Sequence, residues 1–362
     1  MMTNFVNGGY WLSNEAAQFP ADKMDATLYT HLFCGYAEID IQSYEVIVPF
    51  GQYNIVNAFS SQVKLSNPDV KTMLSIRGEK EIFSQMAGNR LTREVFIKSS
   101  IKAAVAGNFN GLDLCWLYPS TQDDMENFDY LITEWRQVAE DDARDNNRKA
   151  SWLLVASVPN APYVEPNIHV VYPATAISQN LDWVNLISYD FYTPTSCPGY
   201  TAPSSAFNNH KANLLSAHFG IDSWSKILGD LPFDKIVFGI PFHGWAWKLT
   251  NPLQHNVFSK ADGPTESTGE YEIALDGKIV YYEVQNFIHE TQAEVVPNDR
   301  KFVIAYAFNA TTTWIAFESK DTISQKVNLA RSMMALGYFA SNVAADDELY
   351  TLATAAKSSW SS

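Results

Sequence analysis

At 362 residues with 46% hydrophobic content, the chain is long enough for one large α/β barrel, which needs about 250 residues plus insertions, or for two ordinary domains. Its 40 acidic residues against 25 basic ones give a formal charge of −15. That balance excludes nucleic acid and an anionic membrane surface as main partners and leaves a neutral polysaccharide open.

In chain order, Asn7-Gly8-Gly9-Tyr10-Trp11 reads as a first strand, and Thr30–Ala37 as a second with His31 at its base, where a structural role is expected. Val70–Ile76 reads as a third strand and runs into Arg77-Gly78-Glu79. A helical stripe of Ile97, Ile101 and Val105 follows. Next comes Phe109-Asn110-Gly111-Leu112-Asp113-Leu114-Cys115-Trp116-Leu117-Tyr118-Pro119, a buried strand with apolar residues at 109, 112, 114, 116 and 117 and a Tyr-Pro stop. In an extended chain residues 113, 115 and 117 share one face. A second helix places Phe128, Leu131, Ile132, Trp135, Val138 and Ala139 on one side. Ser151–Val158 and Leu181–Tyr192 are the fifth and sixth strands, and Lys235–Lys248 is the seventh with its exit. From about Thr250 to Lys301 this rhythm lapses into short strands at Thr268–Tyr271 and around Asp276-Gly277, then a helix over Glu283–Glu290. Phe302–Ala307 and Thr313–Phe317 read as a return to the main fold. A helix with Ile323, Val327, Ala330 and Met334 in register precedes the eighth strand, Ala335–Val343. The Ser/Trp end, Ser358–Ser362, reads as a frayed tail or a truncated linker.

These motifs resemble glycoside hydrolase family 18, the chitinases, and most closely the plant class V branch. The Gly-Gly-Tyr-Trp opening, Ile187–Tyr192 in place of Met-Ala-Tyr-Asp-Phe-Tyr, and the Gly239–Trp247 stretch carry the resemblance from residue 8 to about 348. It implies a (β/α)8 TIM barrel over 5–250 and 302–357, with a small α+β insertion domain over 251–301 between strands seven and eight. The family's fourth strand ends in Asp-x-x-Asp-x-Asp-x-Glu, and this chain has Asn110, Asp113, Cys115 and Leu117 in those places. Relatives use substrate-assisted hydrolysis: the last Glu protonates the leaving oxygen while its neighbouring Asp orients the sugar's acetamide. Leu117 has no proton to give, and Cys115 cannot hold a carboxylate's charge. A positioned general acid contributes about 10²–10⁴-fold, so no useful hydrolysis is expected. Ser341 stands where relatives have the Trp floor under the reacting sugar.

Arg77 occupies the place of a family glycine and shares parity with Ser75, so on a strand it points inward. A buried cation needs paired anions, and the expected partners are Asp113 and Asp190, making Arg77 a plug in the old subsite; the alternative is an arginine on a loop that swings outward. By the resemblance Tyr10, Tyr36, Tyr189, Asp190 and Tyr192 keep barrel-mouth chemistry, with Tyr189 on the acetamide and Asp190 on a sugar hydroxyl. Trp247 is the expected sugar-stacking ring, or else a packed core residue.

Three cysteines, Cys34, Cys115 and Cys197, leave at least one unpaired within the chain. The seven histidines lack paired metal spacing and there is no Gly-rich phosphate loop, so no cofactor is expected. No signal peptide or membrane-spanning apolar run is read, and the single sequon, Asn309-Ala310-Thr311, supports secretion weakly. The resulting expectation is a non-catalytic extracellular or cell-surface recognition protein. It would be a chitinase-related agglutinin or the ectodomain of a receptor-like kinase tethered beyond residue 362, with an N-acetylglucosamine oligomer, an N-glycan or a protein as ligand. Ordinary chitin binding is expected to be weak or lost, because the floor Trp is absent and Arg77 is in the way. The alternatives are a protein-binding inhibitor or storage protein on the same barrel, and a residual hydrolase in which Glu79 or another loop carboxylate serves as acid.

Overall fold

The computed structural model describes residues 5–209, 215–227 and 231–361. Eight parallel strands close into a barrel: β1 (Val6–Leu12), β2 (His31–Ile39), β4 (Lys71–Arg77), β5 (Gly111–Cys115), β6 (Leu153–Pro159), β7 (Trp183–Ile187), β8 (Ile236–Pro241) and β15 (Gly337–Ser341). β1 pairs with β2 to shut the ring, and β3 (Val46–Ile47) is an antiparallel addition to β2. Every residue of β5 is buried, as befits a parallel strand covered on both faces. The helices between strands are α1 (Tyr53–Ser66), α2 (Lys80–Ala87), α3 (Arg90–Ala106), α4 (Gln122–Asp145), α5 (Ala174–Asn180) and α6 (Ala217–Asp222).

Local chemistry explains where these elements start and which face they bury. Helix α4 begins with a reciprocal capping box between Thr121 and Asp124, which satisfies two otherwise orphaned N–H groups. Its Phe128, Leu131, Ile132, Trp135 and Ala139 are at most 1% exposed. Burial of each large side chain contributes about 1.5–3 kcal/mol, and the Trp135 indole N–H also donates to Ser100 Oγ at 3.0 Å. The stripe on α3 holds for Ile97 and Ile101, whereas Val105, in the last turn, is exposed.

The chain divides into two compact units: Met1–Ile187, Gly220–Phe238 and Met334–Phe339 in one, and Ser188–Phe219, Gly239–Met333 and Ala340–Ser362 in the other. The second contains a six-stranded antiparallel sheet of β9 (His243–Leu249), β10 (Ala261–Pro264), β11 (Lys278–Val280), β12 (Glu294–Asp299), β13 (Ile304–Phe308) and β14 (Thr313–Phe317). Three of its strands, β10, β11 and β12, fall within residues 251–301, while β9 precedes that segment and β13 and β14 follow it. β13 and β14 join this sheet rather than returning to the barrel: β14 pairs with β9 and β13, and β13 with β12. Thr268–Tyr271 is not a strand. The Asp276-Gly277 turn is present, with Gly277 at φ +89°, a conformation open to glycine at no steric cost. Asn309 is spent on the turn before β14: its Oδ1 accepts from Thr311 Oγ1 at 2.7 Å and from Thr313 N at 3.1 Å.

Helices α7 (Tyr281–Thr291), α8 (Lys320–Ser332) and α9 (Thr351–Ser361) complete the second unit. Met334, expected on the buried stripe of α8, lies past its end and is exposed. The C-terminal stretch is not frayed through 361. Trp360 is buried on α9 and its carbonyl accepts from Arg331 Nη1 at 2.9 Å. Ser362 and residues 1–4, on which the reading of the two ends also rests, lie outside the described residues.

Candidate functional site

Within the first unit the barrel interior is organised around Asp113, which is 0% exposed. Its Oδ2 accepts from Tyr10 Oη and Ser75 Oγ, both at 2.7 Å, and from Cys115 Sγ at 3.1 Å. Tyr10 Oη in turn accepts from Asn185 Nδ2 at 2.8 Å and lies 3.2 Å from Ser157 Oγ. Strand pairing dictates this meeting: Ser75 is the register partner of Asp113, and inward residues of neighbouring strands come level. Among the described residues Asp113 Oδ1 has no hydrogen-bond partner. Burial pushes the carboxyl above the usual carboxylate range, against the pull of the Ser75 and Tyr10 hydroxyls. Burial and the neighbouring Asp113 also raise the Cys115 thiol well above its ordinary value. A thiol that keeps its proton is a weak donor to the carboxyl and supplies no anion of its own.

Tyr10 is accordingly not at the barrel mouth. It is 5% exposed, stacked on Phe33 at 4.5 Å, with its hydroxyl spent inside the barrel. Asn110 also faces no ligand: its Oδ1 accepts from Thr72 N at 2.9 Å and Lys64 Nζ at 3.3 Å just before β5. Trp116 packs on Phe83 at 5.5 Å, whereas Leu117, expected in the buried run, is 36% exposed. β5 ends at Cys115, so the alternation that would have turned Leu117 inward ends two residues before it.

Arg77 does not plug the interior. It is the last residue of β4, exposed, with its guanidinium 5.4 Å from the centre of the Tyr36 ring. Among the described residues it forms no ion pair with Asp113, whose donors are all neutral. Desolvating a guanidinium beside a single carboxyl costs several kcal/mol; a cation on an aromatic face at the surface avoids that cost. Arg77, Tyr36 and Leu117 line a cleft of ≈ 850 Å³ in this unit, together with Asn14, Gln52 and Glu79. Burial pushes the Tyr36 hydroxyl up, with Cys115 and Asp113 adding to the shift and Arg77 opposing it. His31, at the start of β2, is lowered to about 4, by burial first and then by Lys71.

In the second unit Asp190 sits at φ +57°. Its Oδ1 meets His243 Nε2 at 2.8 Å and accepts from the Trp245 indole N–H at 2.7 Å. Burial pushes this carboxyl up, but His243 and Trp245 outweigh it and hold the group below the ordinary range. Asp190 therefore has local partners in place of the expected arginine. Tyr189 is half-buried, edge-on to His243 with ring centres 6.0 Å apart. Tyr192 is half-buried against the cluster of Trp247, Trp314 and Tyr306, and burial raises its hydroxyl. Trp247 cannot stack on a sugar: it is 0% exposed, edge-on to Trp314 at 5.6 Å, and its N–H donates to Cys197 O at 3.0 Å. Ser341 is half-buried, and its carbonyl accepts from Phe242 N at 2.8 Å.

The sequence reading missed Ser75, Ser157 and Asn185 as partners in the Asp113 network, and His243 and Trp245 as partners of Asp190. A usable signal existed for two of them. Ser157 and Asn185 are polar residues inside otherwise apolar strands, and buried polar groups sit where they can bond one another.

The described histidine, cysteine and carboxylate side chains form no group of three able to hold a metal ion. Comparison with known proteins finds a class V chitinase of Arabidopsis thaliana 36% identical over 363 aligned positions, covering 99% of this chain and 91% of that one. A single-substitution variant of the class V chitinase from Nicotiana tobaccum, in complex with NAG4, superposes with a TM-score of 0.91 at 34% identity, covering 99% of both chains. The chitinase-like agglutinin from Robinia pseudoacacia superposes at 0.87 with 32% identity, covering 98% of this chain and 99% of that one. The sequence profile of glycosyl hydrolases family 18 matches residues 7–346, and on that match, with its closed parallel barrel, the chain belongs to that family.

Proposed function

We propose that this chain is a non-catalytic member of its family, an extracellular or cell-surface recognition domain that binds a saccharide without cleaving it. The observation that carries the reading is the end of β5. Asp113 is enclosed under Tyr10, Ser75 and Cys115, and the exposed side chain beyond it, Leu117, has no proton to give. Hydrolysis needs an acid within hydrogen-bond reach of the departing oxygen, and neither the enclosed Cys115 nor Leu117 just past β5 supplies one. The similarity to an agglutinin and to a chitinase that binds NAG4 supports an N-acetylglucosamine oligomer as the first ligand to test.

A residual hydrolase is the second reading, because Glu79 lines the same cleft as Leu117. Incubating the purified protein with N-acetylglucosamine tetramer and resolving products by chromatography separates the two. The expected result is intact tetramer. Turnover that persists through repurification and disappears in Glu79→Gln would overturn the non-catalytic reading in favour of the second.

A further inference from the structure

The cleft of the first unit has a lining that constrains its ligand. Its charged side chains are nearly balanced, with Glu38, Glu79 and Glu81 against Arg77 and Lys80, and Lys80 is 3.7 Å from Glu81. Asn14 and Gln52 add side chains that both donate and accept. A strongly charged polymer would meet like charge from one set or the other. An uncharged sugar, whose hydroxyls and acetamides donate and accept in alternation, fits both.

Arg77 stands out among these groups. Glu38 is its register partner across β2 and β4, yet the two form no ion pair. Its guanidinium carbon lies 5.4 Å from the Tyr36 ring centre in a cation–π contact, and its side chain lines the cleft. A planar fork held on a ring loses little rotamer freedom when it binds two acceptor oxygens.

We propose that Arg77, held against Tyr36 by a cation–π contact, is the specificity-determining residue of this cleft and reads acceptor oxygens of an uncharged oligosaccharide at the rim. The inference rests on the recognition reading above and adds to it the residue that selects the ligand and the ligand's charge class. Asp113 takes no direct part, being closed off beneath its hydroxyl and thiol partners.

The test titrates wild type, Arg77→Gln and Arg77→Lys by calorimetry with three tetramers of equal length: N-acetylglucosamine, its cationic de-N-acetylated form and galacturonate. Wild type should bind the N-acetylated tetramer in preference to both charged ones. Arg77→Gln should weaken that binding about tenfold or more, the usual consequence of losing hydrogen bonds to a charged group. Arg77→Lys should restore only part of it, because an ammonium cannot present the fork. Thermal melting of both variants should match wild type, since the side chain is exposed. Equal or tighter binding by Arg77→Gln would mark the residue as an obstruction and overturn the proposal. Preference for either charged tetramer, or no binding of the N-acetylated tetramer by wild type, would overturn it as well. Product analysis of the same mixtures keeps the two readings apart: cleavage would refute the non-catalytic function while leaving the Arg77 comparison intact.

Discussion

The carboxyls of Asp113 and Asp190 start from the same ordinary value in an unfolded chain and end on opposite sides of it. Both are buried enough to be pushed upward. Among the described residues Asp113 meets neutral donors, on one oxygen, and stays high. Asp190 meets a histidine ring nitrogen and an indole N–H, and its side chain keeps 33% exposure. The lesson is that desolvation sets the direction of a carboxyl's shift unless donors able to offset its charge are close; three neutral donors on one oxygen do not suffice.

The most severe way to break this comparison is Asp113→Leu, which keeps the branched shape at a larger volume and leaves the Tyr10 and Ser75 hydroxyls without their acceptor. We expect a loss of about 3 kcal/mol or more, read as a lower urea midpoint with an unchanged slope. A midpoint equal to wild type would show that Asp113 does not organise the interior. Next comes Asp190→Asn, which removes the charge facing His243. With one third of the side chain exposed, screening reduces the effect to about 1–2 kcal/mol. Because its folded value is depressed, the contribution should be present above about pH 4 and vanish as pH falls through that depressed value.

Asp113→Asn sharpens the contrast. It should cost under about 1 kcal/mol, and its pH dependence should run the other way. A raised carboxyl holds its proton more tightly in the fold than in the unfolded chain. Wild type should therefore be at its best relative to this variant below about pH 4 and lose ground as pH rises toward the raised value. Parallel pH profiles for the two Asn variants would refute the comparison. The smallest effect belongs to Arg77→Gln, whose melting should stay within about 0.5 kcal/mol of wild type. A large destabilisation would put the guanidinium in contact with a buried carboxyl after all.

How legible the molecule was in its sequence depends on whether periodicity or proximity decided the outcome. The burial of α4 could be read from its spacing, and so could that of β5 up to Trp116, because each is a local repeat set against a covered face. Trp247 and Tyr10 could not be placed by such rules. β9 is buried along most of its length, so alternation does not say which Trp reaches a surface, and Tyr10 has polar partners more than a hundred residues away. Arg77 has the inward parity of Ser75, but it closes its strand, and at a strand end the side chain is free to leave the face that alternation assigns.

The sequence by itself determined the family, the order of the barrel strands and the presence of Cys115 and Leu117 at the alternate positions after Asp113, because these are facts of residue identity and spacing. The tertiary structure alone decided where the charges go: Arg77 onto a ring at the rim, Asp113 into a closed set of hydroxyls, Asp190 to His243. Those outcomes turn on the cost of moving an ion out of water, and that cost depends on neighbours brought close only by the folded chain.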